Sequence, residues 1–229
     1  MDDRVLLITG ASSGIGAATA RAAAEKGYKL VLAARRHDKL EALAEEIGKD
    51  RMVTVSCDVT SMQDQQAMVE QALERFGRLD AVFANAGRGG SPGGFSEADH
   101  EQWKDMLLTN VYGVGLTLQA TLPALKQSQG HVLLTGSAAG RATIPGSMYS
   151  ASKWAVTGIG YNLREELRGT GIRVTLIEPG MVDTAFFDER PTHAMQDEDI
   201  ANAVLYALDQ PAHVDVNEIL IRPTPSVSA

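Results

Sequence analysis

The chain has 229 residues, of which 44% are hydrophobic and 22% charged, enough to bury a sizeable core in one domain over residues 1–229. Its net charge of −8 argues against nucleic acid or an anionic membrane surface as a partner, yet an anionic small ligand needs only local positive charge. The apolar runs are far too short to span a membrane, the five histidines never approach ligand spacing, and Cys57 has no partner for a disulfide. No metal is therefore expected. A reducing, cytoplasmic setting is, since Met1-Asp2-Asp3 does not resemble a signal peptide.

Apolar or β-branched runs predict strands at 4–9, 28–33, 52–56, 80–84, 131–136, 172–177 and 217–221. Helical patterns fall between them at about 15–26, 37–47, 61–76, 99–127, 148–168 and 197–209. Strand and helix in alternation imply βαβ units with right-handed crossovers. The expected fold is α/β: a doubly wound, Rossmann-like, seven-stranded parallel sheet with helices on both faces. Ligands of such sheets bind at the carboxyl ends of the strands, near the switch point.

The first strand runs straight into Thr9-Gly10-Ala11-Ser12-Ser13-Gly14-Ile15-Gly16, followed by an alanine-rich helical stretch. Glycines there let the backbone turn sharply and approach a pyrophosphate, and a helix start presents free N–H groups. The spacing is Gly-x3-Gly-x-Gly, not the Gly-x-Gly-x2-Gly of two-domain dehydrogenases. Further on, Gly87 to Gly94 is rich in glycine and proline and reads as a mobile loop. It follows a strand end, so it could line an entrance or simply connect.

Tyr149 and Lys153 lie one helical turn apart on the same face of the predicted 148–168 helix, twelve residues beyond Ser137. A cation about 4 Å from the phenol, at an effective dielectric of ~20, favours the phenolate by roughly 4 kcal/mol before desolvation. That would bring a group with an ordinary pKa of about 10 toward the range of a general acid/base. Taken singly, each residue has a plainer reading. Ser137 could start a turn, Asn110 could be a helix-interior amide, and Pro179-Gly180 could be a generic turn.

Together, Thr9 to Gly16, Asp58-Val59, Asn85-Ala86-Gly87, Asn110, Ser137, Tyr149 with Lys153, Pro179-Gly180 and Thr184 resemble the short-chain dehydrogenase/reductase family, in its compact single-domain branch. The resemblance covers essentially the whole chain. It implies that Tyr149 exchanges a proton with the substrate oxygen, that Ser137 holds that oxygen, and that Lys153 lowers the Tyr149 pKa and binds the nicotinamide ribose. Asn110 would hold a water linking Lys153 to solvent. For the cofactor it implies Gly10, Ser12, Ser13, Gly14, Ile15 and Gly16 at the phosphates, and Asp58 and Val59 at the adenine. Asn85, Ala86 and Gly87 would lie by the ribose, with Pro179, Gly180, Val182 and Thr184 at the nicotinamide amide.

NAD-specific relatives carry an acidic residue at the end of the second strand; here Ala34 stands there, followed by Arg35 and Arg36. Guanidiniums pair bidentately with phosphate, which points to NADP(H). A basic approach to the next helix is the alternative. The ending around His213 to Thr224 resembles bacterial members acting on hydroxy acids and aldehydes. The expected partners are a small carbonyl or alcohol and further copies of the chain, as homodimer or homotetramer, paired through the 99–127 and 148–168 helices. A sugar-nucleotide epimerase or dehydratase would need a C-terminal substrate domain. A non-catalytic dinucleotide sensor would not be expected to keep both Tyr149 and Lys153. Between Thr184 and the helix near Asp197 only Ala185 to Met195 remain, too few for a two-helix lid. The expected site is open, with Phe186 and Phe187 as its apolar cover or, alternatively, packed into the core.

Overall fold

The computed structural model describes residues 3–184, 186 and 191–225. Strand β1 (Val5–Thr9) is buried at every position, as a central strand covered on both faces must be. Around it lie β2 (Lys29–Ala34), β3 (Met52–Ser56), β4 (Ala81–Ala84), β5 (His131–Thr135), β6 (Arg173–Pro179) and β7 (Glu218–Ile221). They form one parallel sheet, as expected, and its strand order is β3-β2-β1-β4-β5-β6-β7. The chain winds outward from β1 on one side and from β4 on the other, so the switch point lies between these two strands.

Side chains alternate across a strand, so the sheet feeds two cores. Ile8 and Leu32 pack under α1 (Gly14–Glu25), α2 (His37–Ile47) and α8 (Asp197–Leu208), with Ala20, Leu40 and Val204. Leu7 and Val31 face α3 (Met62–Phe76), α6 (Gly113–Ser128) and α7 (Met148–Glu166), meeting Met68, Leu118 and Val156. Local chemistry sets the ends of α3: Ser61 caps it by accepting from the Asp64 N–H at 3.2 Å, and Gly77 stops it at φ 73°.

Two segments differ from expectation. The 99–127 helix is not uniform: α5 (His100–Leu107) passes through a π-helical turn (Leu108–Tyr112) into α6. The Gly113 N–H there reaches back five residues to the Leu108 carbonyl. A π turn adds a residue without ending the helix, a device frequent at functional sites, and this one carries buried Asn110. After the loop at 87–93, Gly94–Glu97 forms a short helix, α4, that the pattern did not signal.

His131, at the amino end of the interior strand β5, is buried with Nε2 2.7 Å from Thr175 Oγ1. Thr175 gives its own proton to the Val216 carbonyl at 2.6 Å, so Nε2 must be the donor, and Nδ1 has no partner among the described residues. Burial first, then Arg173 and Arg4, push the imidazole down to about 3. The folded protein thus holds His131 neutral where the unfolded chain, with a value of about 6.5, takes up a proton. The contribution is complete above about pH 6.5 and is lost as pH falls toward 3, at up to ~1.4 kcal/mol per pH unit. Melting temperature followed from pH 7 to 4 should fall less steeply in His131→Gln than in wild type. Identical slopes would show that other groups govern acid unfolding.

Candidate active site

The site lies at the carboxyl ends of β1, β4, β5 and β6. Thr9, the last residue of β1, ties the switch point together: its hydroxyl accepts from the N–H groups of Asn85 and Ala86 at 3.0 and 3.1 Å. Asn85 answers by donating Nδ2 to the Thr9 carbonyl at 3.1 Å and accepting from Thr135 Oγ1 at 3.2 Å. Gly10 follows at φ +67°, where an added Cβ would sit 2.9 Å from the Ala86 Cα. An added Cβ at Gly16 would meet the Gly10 carbonyl at 2.4 Å. Only glycine allows these approaches.

Helix α1 therefore starts directly beneath the turn, with Ser13 at its N-cap making no side-chain cap bond and no acidic residue in its first turn. Its free N–H groups and positive dipole end suit an anion. Arg36 Nη2 donates to the hydroxyls of Ser12 and Ser13 at 3.1 and 2.9 Å, which brings a guanidinium to the same place. A pocket behind this turn is lined by Ser12, Ala34, Arg35, Arg36, Asp58 and Val59, among others. One Asp58 oxygen accepts from the Thr60 N–H and hydroxyl, at 2.9 and 2.7 Å. The Thr60 N–H is the main influence holding that carboxyl below its ordinary range. Cys57, on the same wall, is buried with its thiol pushed up to about 12, so it is inert. Close-approach glycines, a helix N-terminus and two guanidiniums together fit a phosphorylated dinucleotide.

A second, larger cavity of about 280 Å³ adjoins the first and joins Ser13, Gly14 and Ile15 to Asn85, Gly87, Ser137, Tyr149 and Lys153. Pro179, Gly180, Val182, Thr184 and Phe186 complete its wall. The residues singled out in the sequence thus meet in two connected pockets, save Gly16, which supports the turn from below, and Asn110, which lies just behind.

Helix α7 delivers the tyrosine and the lysine. Ser147 caps it, accepting from the Ser150 N–H at 3.0 Å, and the Ser150 hydroxyl binds the Ala139 carbonyl at 2.7 Å, which fastens α7 to the turn after β5. The buried Lys153 donates Nζ to the Thr135 carbonyl at 2.8 Å, and burial brings its pKa down to about 8. Here the electrostatics depart from expectation. Nζ is drawn toward β5 and stands 5.7 Å from the centre of the Tyr149 ring. Tyr149 faces the cleft half-buried, and the protein packed around it pushes the phenol up. The opposing influence is the Ser137 hydroxyl, not the lysine.

Asn110 is engaged with the segment after Gly87. Its Oδ1 accepts from the Arg88 N–H at 2.8 Å, while Nδ2 donates to the Arg88 carbonyl at 3.0 Å and to Ser152 Oγ at 3.2 Å. Both amide hydrogens are used; only one lone pair of Oδ1 is left for a water. The side chain clasps the segment after Gly87. Thr9, Thr135 and Ser152 were not singled out as site residues, and a lone hydroxyl carries no periodic signal that would have marked them.

An added Cβ at Gly90 would lie 3.3 Å from Tyr149 Cβ, so the backbone there packs directly on the tyrosine. Phe186 tilts against the Tyr149 ring at 5.7 Å and is 39% exposed, which removes core packing as its role. Phe187 lies outside the described residues. The excursion is closed at its base by a parallel bridge between Val182 and Met195, and α8 begins at Asp197. Among the described residues no group of three metal-ligating side chains occurs, and no helix is long and apolar enough to cross a membrane.

A doubly wound Rossmann-like sheet with this cleft at its switch point defines the class. A family model described as short chain dehydrogenase matches residues 4–194. An uncharacterized oxidoreductase of Staphylococcus haemolyticus is 41% identical over 228 residues, covering 97% of this chain and 98% of its own. The alcohol dehydrogenase of the archaeon Thermococcus sibiricus, complexed with 5-hydroxy-NADP, shares 34% identity at a TM-score of 0.89, over 98% of this chain and 100% of that one. A serine dehydrogenase in its closed form with NADP+ reaches a TM-score of 0.92 at 30% identity, over 98% of both chains. The chain belongs to the short-chain dehydrogenase family of oxidoreductases.

Proposed function

We propose that this oxidoreductase transfers a hydride between NADP(H) and a small alcohol or carbonyl compound (aldehyde, ketone or hydroxy acid), with Tyr149 as the acid/base. The observation that carries the reading is the meeting of the Tyr149 phenol, the Ser137 hydroxyl and the Lys153 ammonium in one cavity beside the α1 N-terminus. When bound, the nicotinamide supplies or accepts the hydride.

The chain's own residues do the rest. Ser137 donates to the substrate oxygen and orients it. Tyr149 delivers a proton to that oxygen in reduction and removes one in oxidation. At neutral pH Lys153, with its pKa near 8, keeps its charge and binds the ribose. Its proximity to the phenol matters most once the cleft is closed to water, since charge–charge interactions strengthen as the dielectric falls. Asn110 holds the 88 segment and offers its remaining lone pair to a water of the proton path. Gly10, Ser12, Ser13, Gly14 and Ile15 receive the pyrophosphate, Gly16 leaving room for their turn. Asp58 and Val59 receive the adenine, and Asn85, Ala86 and Gly87 the ribose. Pro179, Gly180, Val182 and Thr184 hold the nicotinamide amide. Arg35 and Arg36 take the 2′-phosphate. A homodimer or homotetramer paired through the 99–127 segment (α5, the π turn and α6) and α7 would cover the exposed Tyr112, Trp154 and Tyr161.

Absorbance at the reduced nicotinamide band, followed across aldehydes, ketones and hydroxy acids with each cofactor form, tests the reaction. Tight cofactor binding with flat absorbance throughout would refute it. Ala185 to Met195 are too few for a two-helix lid, and among the described residues Phe186 and the Gly90 backbone pack on Tyr149, so few contacts remote from the reacting carbon are available for orientation. The Michaelis constants should be high, roughly 1 mM, and similar across several small substrates. One substrate preferred by more than a thousandfold at low-micromolar constant would show that another element closes the site.

A further inference from the structure

Glu178, the residue before Pro179 on β6, is a carboxylate only 1% exposed. Arg141 Nε donates to its two oxygens at 2.8 and 3.0 Å, and Thr157 Oγ1 of α7 donates to Oε1 at 3.2 Å. The guanidinium continues outward, donating Nη1 to the Tyr161 hydroxyl at 2.6 Å and pairing with Glu218 of β7 at 2.7 Å. A buried ion pair is weak ground for stability, because desolvation offsets much of its attraction. What it does supply is a fixed geometry.

That geometry brackets Ser137. On the near side, an added Cβ at Gly136 would meet Glu178 Cγ at 2.9 Å, so the backbone just before Ser137 rests on the glutamate. On the far side, the single 3₁₀ turn Ala138–Gly140 ends at Arg141, whose N–H donates to the Ala138 carbonyl at 3.1 Å. The turn itself is pressed onto α7, where an added Cβ at Gly140 would meet the Lys153 carbonyl at 2.7 Å. Thr157 lies one turn beyond Lys153 on the same helix. One carboxylate therefore joins the strand before Pro179, the turn that carries Ser137, and the helix that carries Tyr149 and Lys153.

We propose that Glu178 and Arg141 are positioning residues, which set the Ser137 hydroxyl against the Tyr149 phenol and so act on turnover through Ser137. The inference rests on the role given above to Ser137. Neither residue lines the cavity, so neither needs to touch substrate or cofactor.

A double-mutant cycle tests it, with turnover, NADPH Michaelis constant and melting temperature measured for each variant. Glu178→Gln keeps the volume but weakens the clamp; it should lower kcat ~10–100-fold, the scale of a 1 Å misplacement, with the NADPH constant little changed. Should that variant fail to fold, Arg141→Gln carries the cycle, since this side chain is 24% exposed where the glutamate is 1%. In a Ser137→Ala background either change should cost little more, because the group being positioned is already gone. Losses of equal size in both backgrounds, with Ser137→Ala itself impaired, would overturn the positioning role and leave the functional reading standing. Full turnover in Ser137→Ala alone would overturn both.

Discussion

Tyr149→Phe should lower turnover by ~10²–10⁴, the range of a positioned acid/base, while folding and cofactor binding survive. The substitution removes one oxygen and keeps the ring, so the tilted contact with Phe186 at 5.7 Å and the packing of the Gly90 backbone are preserved. The hydroxyl it removes faces Ser137. The loss should therefore appear in kcat, with the NADPH dissociation constant from fluorescence titration close to wild type. A variant keeping more than a tenth of normal turnover would remove Tyr149 from the chemistry. Weakened cofactor binding of matching size would assign it to binding instead.

The second large effect concerns cofactor choice. Ala34 closes β2 opposite Ser56 of β3 and lines the pocket with Ser12, Ser13 and the two arginines. Ala34→Asp combined with Arg35→Leu places a carboxylate where a 2′-phosphate would lie and removes one guanidinium. Charge-assisted hydrogen bonds contribute ~1.5–3 kcal/mol each, so the ratio of kcat/KM for NADPH over NADH should fall by roughly 10² or more. Arg36 is held apart from this change by its bonds to Ser12 and Ser13, so some residual preference for the phosphate should remain. Wild-type efficiency with NADH equal to or above that with NADPH would refute the assignment at the outset.

Much of this was legible in the residues because its physics is short-ranged. The strand-and-helix alternation marked all seven strands to within a residue or two, since each hydrophobic run has to bury itself wherever it ends up. The Gly10 to Gly16 turn was readable because positive φ and close approach are demands on glycine alone. Tyr149 and Lys153 share a face through helical spacing, which needs no tertiary information.

The π turn at Asn110 was not legible, because a helix that gains one residue keeps the same composition and nearly the same pattern. Nor was the clasp of the Asn110 amide on Arg88, 22 residues away, which the helix register brings about. The surroundings of the tyrosine differ from expectation for a related reason. Spacing placed Lys153 near the phenol, but the Thr135 carbonyl at the end of β5 captured the ammonium.

By itself, then, the sequence determined the parallel αβ alternation, the glycine turn beneath α1 and the tyrosine–lysine pair, all set by interactions within about one turn or strand. Only the tertiary structure decided that Ser137 faces Tyr149, that Thr9 closes the β1–β4 crevice, and that Glu178 bridges β6, α7 and the Ser137 turn. These contacts join residues 12 to 76 positions apart on different elements. Polar pairs of that kind follow from strand order and register, which the packing of the whole sheet settles and no local pattern encodes.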